Sequence, residues 1–265
     1  MPGAAAGALA ENTEFSLIAR ATLEALYGNL LKVRLLEERM AKRRLSRAAG
    51  RSDEGWDAVM AAAVPVLMDI GKDDVVSAAE EMPVARLLRG EKAVAVVGEG
   101  QAPAEAGRML LQLVGAALGN RTKKNGKVVL VFWRDAGQES WRDVLEMARV
   151  HTLPLILVCP AGGEPVARGD ALEPGTELPR IVVDGFDAVA VYRVAHEAIQ
   201  RARLDRGASL IECARFKVKG QRGGRGDAVA NMERYLKGKG MLRRGMKDEV
   251  VGGFAKELRE SKKRT

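Results

Sequence analysis

The sequence predicts an α/β fold, a parallel sheet with helices on both faces. Two uninterrupted apolar runs, KVVLVFW at 127–133 and LPLILVC at 153–159, have the composition of strands buried on both sides. An amphipathic segment at 140–150 separates them. Residues 180–213 then spell strand, Asp-Gly turn, capped helix and strand, which is the βαβ unit of a parallel sheet.

The other elements follow in chain order. The opening MPGAAAGALAEN has small residues but neither the basic nor the strongly apolar region of a secretion signal, so 1–13 reads as a disordered tail. Residues 14–47 read as one long helix or two joined ones. Leu17, Ile18, Ala21 and Ala25 begin a helix-period stripe, and Leu26, Leu30, Val33, Leu36 and Met40 continue it. AAGRSDEG breaks the pattern, and Ser52 or Asp53 is placed to cap a second helix over 56–70. After Gly71, DDVVSAAEEMPVARLLRG predicts a further helix ending at Gly90, and 92–97 is a strand or an irregular connection. Residues 103–118 predict a helix stopped at Gly119. In the βαβ unit Asp187 is the cap, and Val191, Val194, Ala195, Ala198, Ile199 and Ala202 share one helix face. Helices near 228–237 and 247–260 close the chain. With no repeat and no linker composition between Gly90 and Arg215, residues 14–265 are expected to form a single domain.

Composition narrows the function classes. The chain is 47% hydrophobic and only 4% aromatic, so its core must be aliphatic. No apolar run reaches the ~18 residues of a membrane span, and the longest, AVMAAAVPVLM, is interrupted by Pro65. No membrane partner is expected, and a cytoplasmic location is the plain reading. Cys159 and Cys213 lie in strand-like runs and read as buried, reduced thiols. His151 and His196 have no metal-ligand spacing, and His196 falls on the polar side of its helix, where solvation is expected. The formal charge of +8 is concentrated in the C-terminal third, in RFKVKGQRGGRGD, KGKGMLRRGMK and KELRESKKRT. Lys217, Lys219, Arg222 and Arg225 are therefore anion-binding candidates. No aromatic residue between Gly220 and Met232 could stack a base, so nucleic acid is not the expected partner and a solvated basic loop is.

Several stretches together resemble one family, the α subunit of the thiamine-diphosphate-dependent 2-oxo acid dehydrogenase E1 component. VRLLEERM from Val33 and DEGWDAVMAA from Asp53 are similar to its opening helices. DIGKDDVVSAAEEMPVARLLRG follows its acidic turn, and LVGAALGN its Gly-Ala-Ala helix. KVVLVFWRDAGQESWRDVLEMARVHTLPLILVC is similar to its central strand–helix–strand, and VDGFD onward is the most similar stretch. The resemblance implies a thiamine-diphosphate-binding-type fold with N-terminal helices packed alongside the sheet. It also implies a partner: a second copy in a homodimer, or an E1 β-like chain in a hetero-oligomer.

The cofactor positions implied by the resemblance carry different chemistry. The family holds Mg²⁺ and thiamine diphosphate with a Gly-Asp-Gly turn, where glycines let backbone approach the diphosphate and the Asp ligates the metal. Aligned without gaps, Phe132, Trp133 and Arg134 fall there. Asp135 and Gly137 are the remaining cofactor-binding candidates, with Asp135 the metal ligand, and using them requires a shift. The family's Glu-Asn-Asn turn is replaced by CPAGGE, leaving Ala161 and Gly162 where amides would be. A diphosphate-contacting Tyr-Arg pair is replaced by Ala79 and Glu80, followed by Glu81. A carboxylate about 4 Å from a phosphate charge costs about 4 kcal/mol at an effective dielectric near 20. Where the family has a His-Ser motif stands Gln221 or Arg222, and Gln cannot replace an imidazolium as proton donor. The connections between Gly90 and Leu113 and between Cys159 and Val183 are also shorter than the family's.

The expectation is therefore an E1 α-like protein that binds no cofactor and has no catalytic residue of its own, acting as a scaffold, regulatory or assembly subunit. The alternative is an active E1 α subunit in which Asp135 and Gly137 hold thiamine diphosphate and Mg²⁺, working on a 2-oxo acid with a β partner.

Overall fold

The structure is a computed structural model and describes residues 18–45, 56–77, 82–92, 106–132, 140–159, 178–214 and 227–260. Its centre is a five-stranded, all-parallel sheet: β1 (Val75–Ser77), β2 (Val129–Phe132), β3 (Leu155–Cys159), β4 (Arg180–Asp184) and β5 (Ser209–Ala214), in the order β1-β2-β3-β5-β4. Every residue of β2 and β3 is buried, because each face of these strands meets helices.

Connection handedness explains which helix covers which face. From β1 to β2 and from β2 to β3 the chain advances one place in the sheet, through α4 (Ala106–Lys123) and α5 (Ser140–Val150). From β4 to β5 it steps back one place, through α6 (Ala188–Arg203). Right-handed crossovers in opposite directions put their helices on opposite faces. Accordingly Leu113, Val114, Leu145 and Ala148 of α4 and α5 pack with Val129, Val131, Leu155, Leu157 and Leu210. Ala195, Ala198, Ile199 and Ala202 of α6 pack with Leu130, Phe132, Ile156, Val158 and Ile211.

On the α6 side further helices build a second layer. α2 (Trp56–Leu67) packs on α6, and α3 (Met82–Leu88) packs on α2. α1 (Arg20–Leu45) lies against α2, α7 (Ala228–Gly238) and α8 (Met246–Glu260). Leu23, Leu26, Tyr27, Leu30, Leu31 and Val33 of α1 join the same core, while Leu36 meets Phe254 and Leu258 of α8. The N-terminal helices thus pack alongside the sheet, as the sequence led one to expect.

The βαβ unit forms as read. Asp187 caps α6 by accepting from the amides of Val189 and Ala190, and the expected apolar face is buried, with Val194 at its margin. Neither cysteine is in a disulfide and both are buried, and burial pushes the Cys213 thiol up to about 12.

Two expectations are corrected. The helix expected after Gly71 is described over Met82–Leu88, and Val75–Ser77, expected to belong to it, is instead a strand at the edge of the sheet. The reason is tertiary. Asp74 Oδ1 accepts from Val128 N at 2.9 Å and Val75 N donates to Val128 O at 3.0 Å, which draws the Val-Val pair into register with β2. Gly119 does not stop α4, which runs on to Lys123 and ends where Lys124 and Gly126 take positive φ. A single helical glycine costs only ~1 kcal/mol relative to alanine, and beyond it Arg121 pairs with Asp205 at 3.1 Å.

Candidate functional site

In an open parallel sheet, ligands bind outside the carboxyl ends of the strands. Here those ends are Ser77, Phe132, Cys159, Asp184 and Ala214. Phe132 is 8% exposed and packed into the core shared with Ile156 and Val158, so the first position of the Gly-Asp-Gly alignment is taken by a core side chain. Asp135, Gly137, Lys217, Lys219, Arg222 and Arg225 lie outside the described residues, as do Glu80, Glu81, Ala161, Gly162 and Gln221.

The described part of this edge is a set of turns locked by side chains. Gly185 N donates to Ala214 O at 2.9 Å, and Asp184 Oδ1 accepts from Phe186 N at 3.0 Å. Asp187 holds the α6 amides with its carboxylate. Asn231 Nδ2 donates to Phe186 O at 3.1 Å and ties α7 to the same turn. Asp227 caps α7 by accepting from Ala230 N and receives both terminal nitrogens of Arg34 from α1, at 2.5 and 3.3 Å. These three aspartates are occupied by amides and, at Asp227, also by a guanidinium. Among the described residues no group of three or more His, Cys, Asp or Glu side chains is placed to hold a metal.

Burial raises the Asp227 carboxyl, but the hydrogen bonds from Arg34 and the Ala230 amide outweigh it and hold the group below the usual carboxylate range. A carboxyl lowered on folding stabilises the protein above its unfolded-state value, and that contribution is lost as pH falls through the folded-state value. Arg34→Gln is therefore expected to be less stable than the parent near neutral pH, with the gap closing on acidification. Urea titrations of both proteins across the acid range would show convergence; a constant gap would contradict it.

Toward α8, Tyr27 is fully buried and its hydroxyl donates to Glu233 Oε1 at 2.8 Å, with Lys247 Nζ on the same oxygen at 2.9 Å. Burial and the neighbouring Glu233 raise the phenol above its ordinary value, so it stays a hydrogen-bond donor.

Among the described residues the most connected polar cluster lies at the opposite, amino-terminal edge of the sheet. The Asp74 side chain, 2% exposed, accepts from the amides of Gly71 and Val128 and from Arg203 Nη2 at 2.7 Å and Nη1 at 3.2 Å. Arg203 also donates to the carbonyls of Gly126 and Asp69, and Arg89 donates to the carbonyl of Asp74. Asp69 in turn meets His196 Nδ1 at 2.6 Å and the Tyr192 hydroxyl at 3.4 Å. His196, expected to be solvated only, is thus a half-exposed partner of Asp69. Burial first, and Asp69 next, raise the Tyr192 phenol. None of this network was read from the sequence. Its one sequence signal is the acidic turn DIGKDD, which offers the carboxylates without naming their partners.

A five-stranded parallel sheet, helices on both faces and an N-terminal helical layer together define an α/β fold of the thiamine-diphosphate-binding type. A sequence model described as Dehydrogenase E1 component matches residues 82–222, and the chain belongs to that family. It is similar to the α subunit of acetoin:2,6-dichlorophenolindophenol oxidoreductase of Bacillus subtilis, 33% identical over 115 residues, which are 39% of this chain and 34% of that protein. The α subunit of the same name from Cupriavidus necator is 34% identical over 120 residues, covering 41% of this chain and 36% of its own length. A pyruvate dehydrogenase E1 component α subunit of Staphylococcus epidermidis aligns over 182 residues at 22% identity, covering 58% of this chain and 49% of its own length. The chain thus spans about a third of the length of the first two relatives. Among the described residues no helix is long and apolar enough to cross a membrane.

Proposed function

We propose that this chain is a non-catalytic E1 α-like subunit, one domain over residues 14–265, that keeps the family scaffold while carrying no thiamine diphosphate. The observation that carries the reading is Phe132. Its ring belongs to the core at the end of β2, where the family's turn needs a glycine so that backbone can touch a diphosphate. The residues present do not fit the coenzyme: acidic Glu80 and Glu81, Ala161 with Gly162, and Gln221 stand where cations, amides and an imidazole would serve it. Its role is then assembly or regulation, through pairing with a second copy or with an E1 β-like chain. The reduced state of Cys159 and Cys213 supports a cytoplasmic setting.

Isothermal titration of the chain with thiamine diphosphate and Mg²⁺, alone and with a β-like chain, is expected to give no saturable heat. A Mg²⁺-dependent isotherm in the micromolar range would overturn the proposal. It would favour instead an active α subunit using Asp135 and Gly137, a reading that draws on the oxidoreductase names of the relatives. In that case Asp135→Ala would abolish the heat.

A further inference from the structure

The α7–α8 connection concentrates positive charge, of which only Lys247 enters a contact described above. Between Arg234 and Lys247 the chain carries six cations (Arg234, Lys237, Lys239, Arg243, Arg244 and Lys247) and no carboxylate, against a formal excess of eight for the whole protein. All six are exposed. Arg243 is held by Glu249 at 2.5 and 2.8 Å, Lys247 by Glu233, and Arg234 donates to Asn231. Among the described residues no carboxylate pairs with Lys237, Lys239 or Arg244.

The turn is also built rather than loose. Met241 and Met246 are buried in the main core and pin it at two points. Met241 N donates to Leu236 O at 2.8 Å, and Gly240 N to Lys237 O at 3.1 Å, closing the end of α7. Gly240 and Gly245, at φ +65 and +80, make the two reversals a side chain would strain. The α8 amino terminus opens on this turn, where Asp248 and Glu249 of its first turn offset the helix dipole and leave the lysines and arginines as the source of positive charge. Holding the backbone beforehand lowers the ordering cost of docking.

We infer that this turn is a docking surface for an acidic segment of a partner protein, a run of spaced Asp and Glu side chains. Charge complementarity sets the sign of the partner. The surroundings select a peptide over a nucleic acid. The only aromatic side chain between Arg234 and Lys247, Tyr235, is half-buried against the core and is a poor platform for stacking a base. The carboxylates of Glu233 and Glu249, on Lys247 and Arg243, would stand against a continuous phosphate backbone but can be straddled by separate carboxylates. α7 is eleven residues, ~16 Å, long. Its first residue follows Asp227 at the carboxyl edge, so a partner bound at its far end leaves that edge open.

The test is fluorescence anisotropy of the full chain with a labelled glutamate-rich peptide of about twelve residues, at about 50 and about 200 mM salt. Binding at low salt that weakens at high salt is expected, with a loss of roughly tenfold or more in Lys237→Glu/Lys239→Glu/Arg244→Glu. A control with the same charge change at other exposed positions, Lys72→Glu/Lys123→Glu/Lys124→Glu, is expected to lose less than about threefold. Should the first triple variant misfold by circular dichroism, the Gln triple at the same positions replaces it. Equal losses in test and control variants, no binding at low salt, or tighter binding of a single-stranded RNA of matched charge would each overturn the inference.

Discussion

Replacing Asp74 by alanine is expected to lower the unfolding free energy by about 3 kcal/mol, the lower end of the cost of removing one partner from a buried ion pair, because Arg203 is partly exposed. The loss has several sources acting together. Arg203 keeps its charge without its carboxylate, and the amides of Gly71 and Val128 lose their acceptor. The register of β1 on β2 also loses the contact that starts it. Against a typical stability of about 5–15 kcal/mol for a folded domain, this is a large fraction. Urea unfolding should show a lower midpoint, with the slope reporting whether β1 frays in the native state. Asp74→Asn keeps one acceptor oxygen and should fall between the two proteins. A loss below about 1 kcal/mol for alanine would mean the network is not the anchor it is taken to be.

Phe132→Ala is the second large expected effect, about 3–5 kcal/mol, from lost burial plus the cavity left among Ile156, Val158 and Leu130. Phe132→Leu, nearer in volume, should cost less than about 1.5 kcal/mol. The comparison bears on function because position 132 is where the family's turn would begin with glycine. If the phenylalanine has become part of the core, shortening it destabilises the sheet and creates no coenzyme affinity. Calorimetry of the alanine variant with Mg²⁺ and thiamine diphosphate is therefore expected to stay flat. A stable variant that acquires binding would mean the side chain merely blocks an otherwise intact site.

The sequence made the middle of the fold readable and its corners opaque, for identifiable reasons. The unit from Arg180 to Ala214 was legible because each signal is local: an apolar run, an Asp that caps, and a helix-period face. β2 and β3 were legible as runs too apolar for anything but burial on both sides. β1 was not, because three residues beside an acidic turn carry no period, and its strand geometry comes from a partner 54 residues away. Asp74 and Arg203 stand 129 residues apart, and no spacing rule joins them. The candidate site was legible only by comparison, as departures at Phe132 and its neighbours. Its closest described support, Arg34 on Asp227, spans 193 residues and left no local trace.

The bracing centred on Asp74 has a consequence for how such a protein can change over generations. It fastens the sheet along the rim remote from where a coenzyme would lodge. Substitutions at the coenzyme's rim can then accumulate while the rest of the molecule remains folded. A gene of this kind can shed its chemistry first and keep its architecture for other uses.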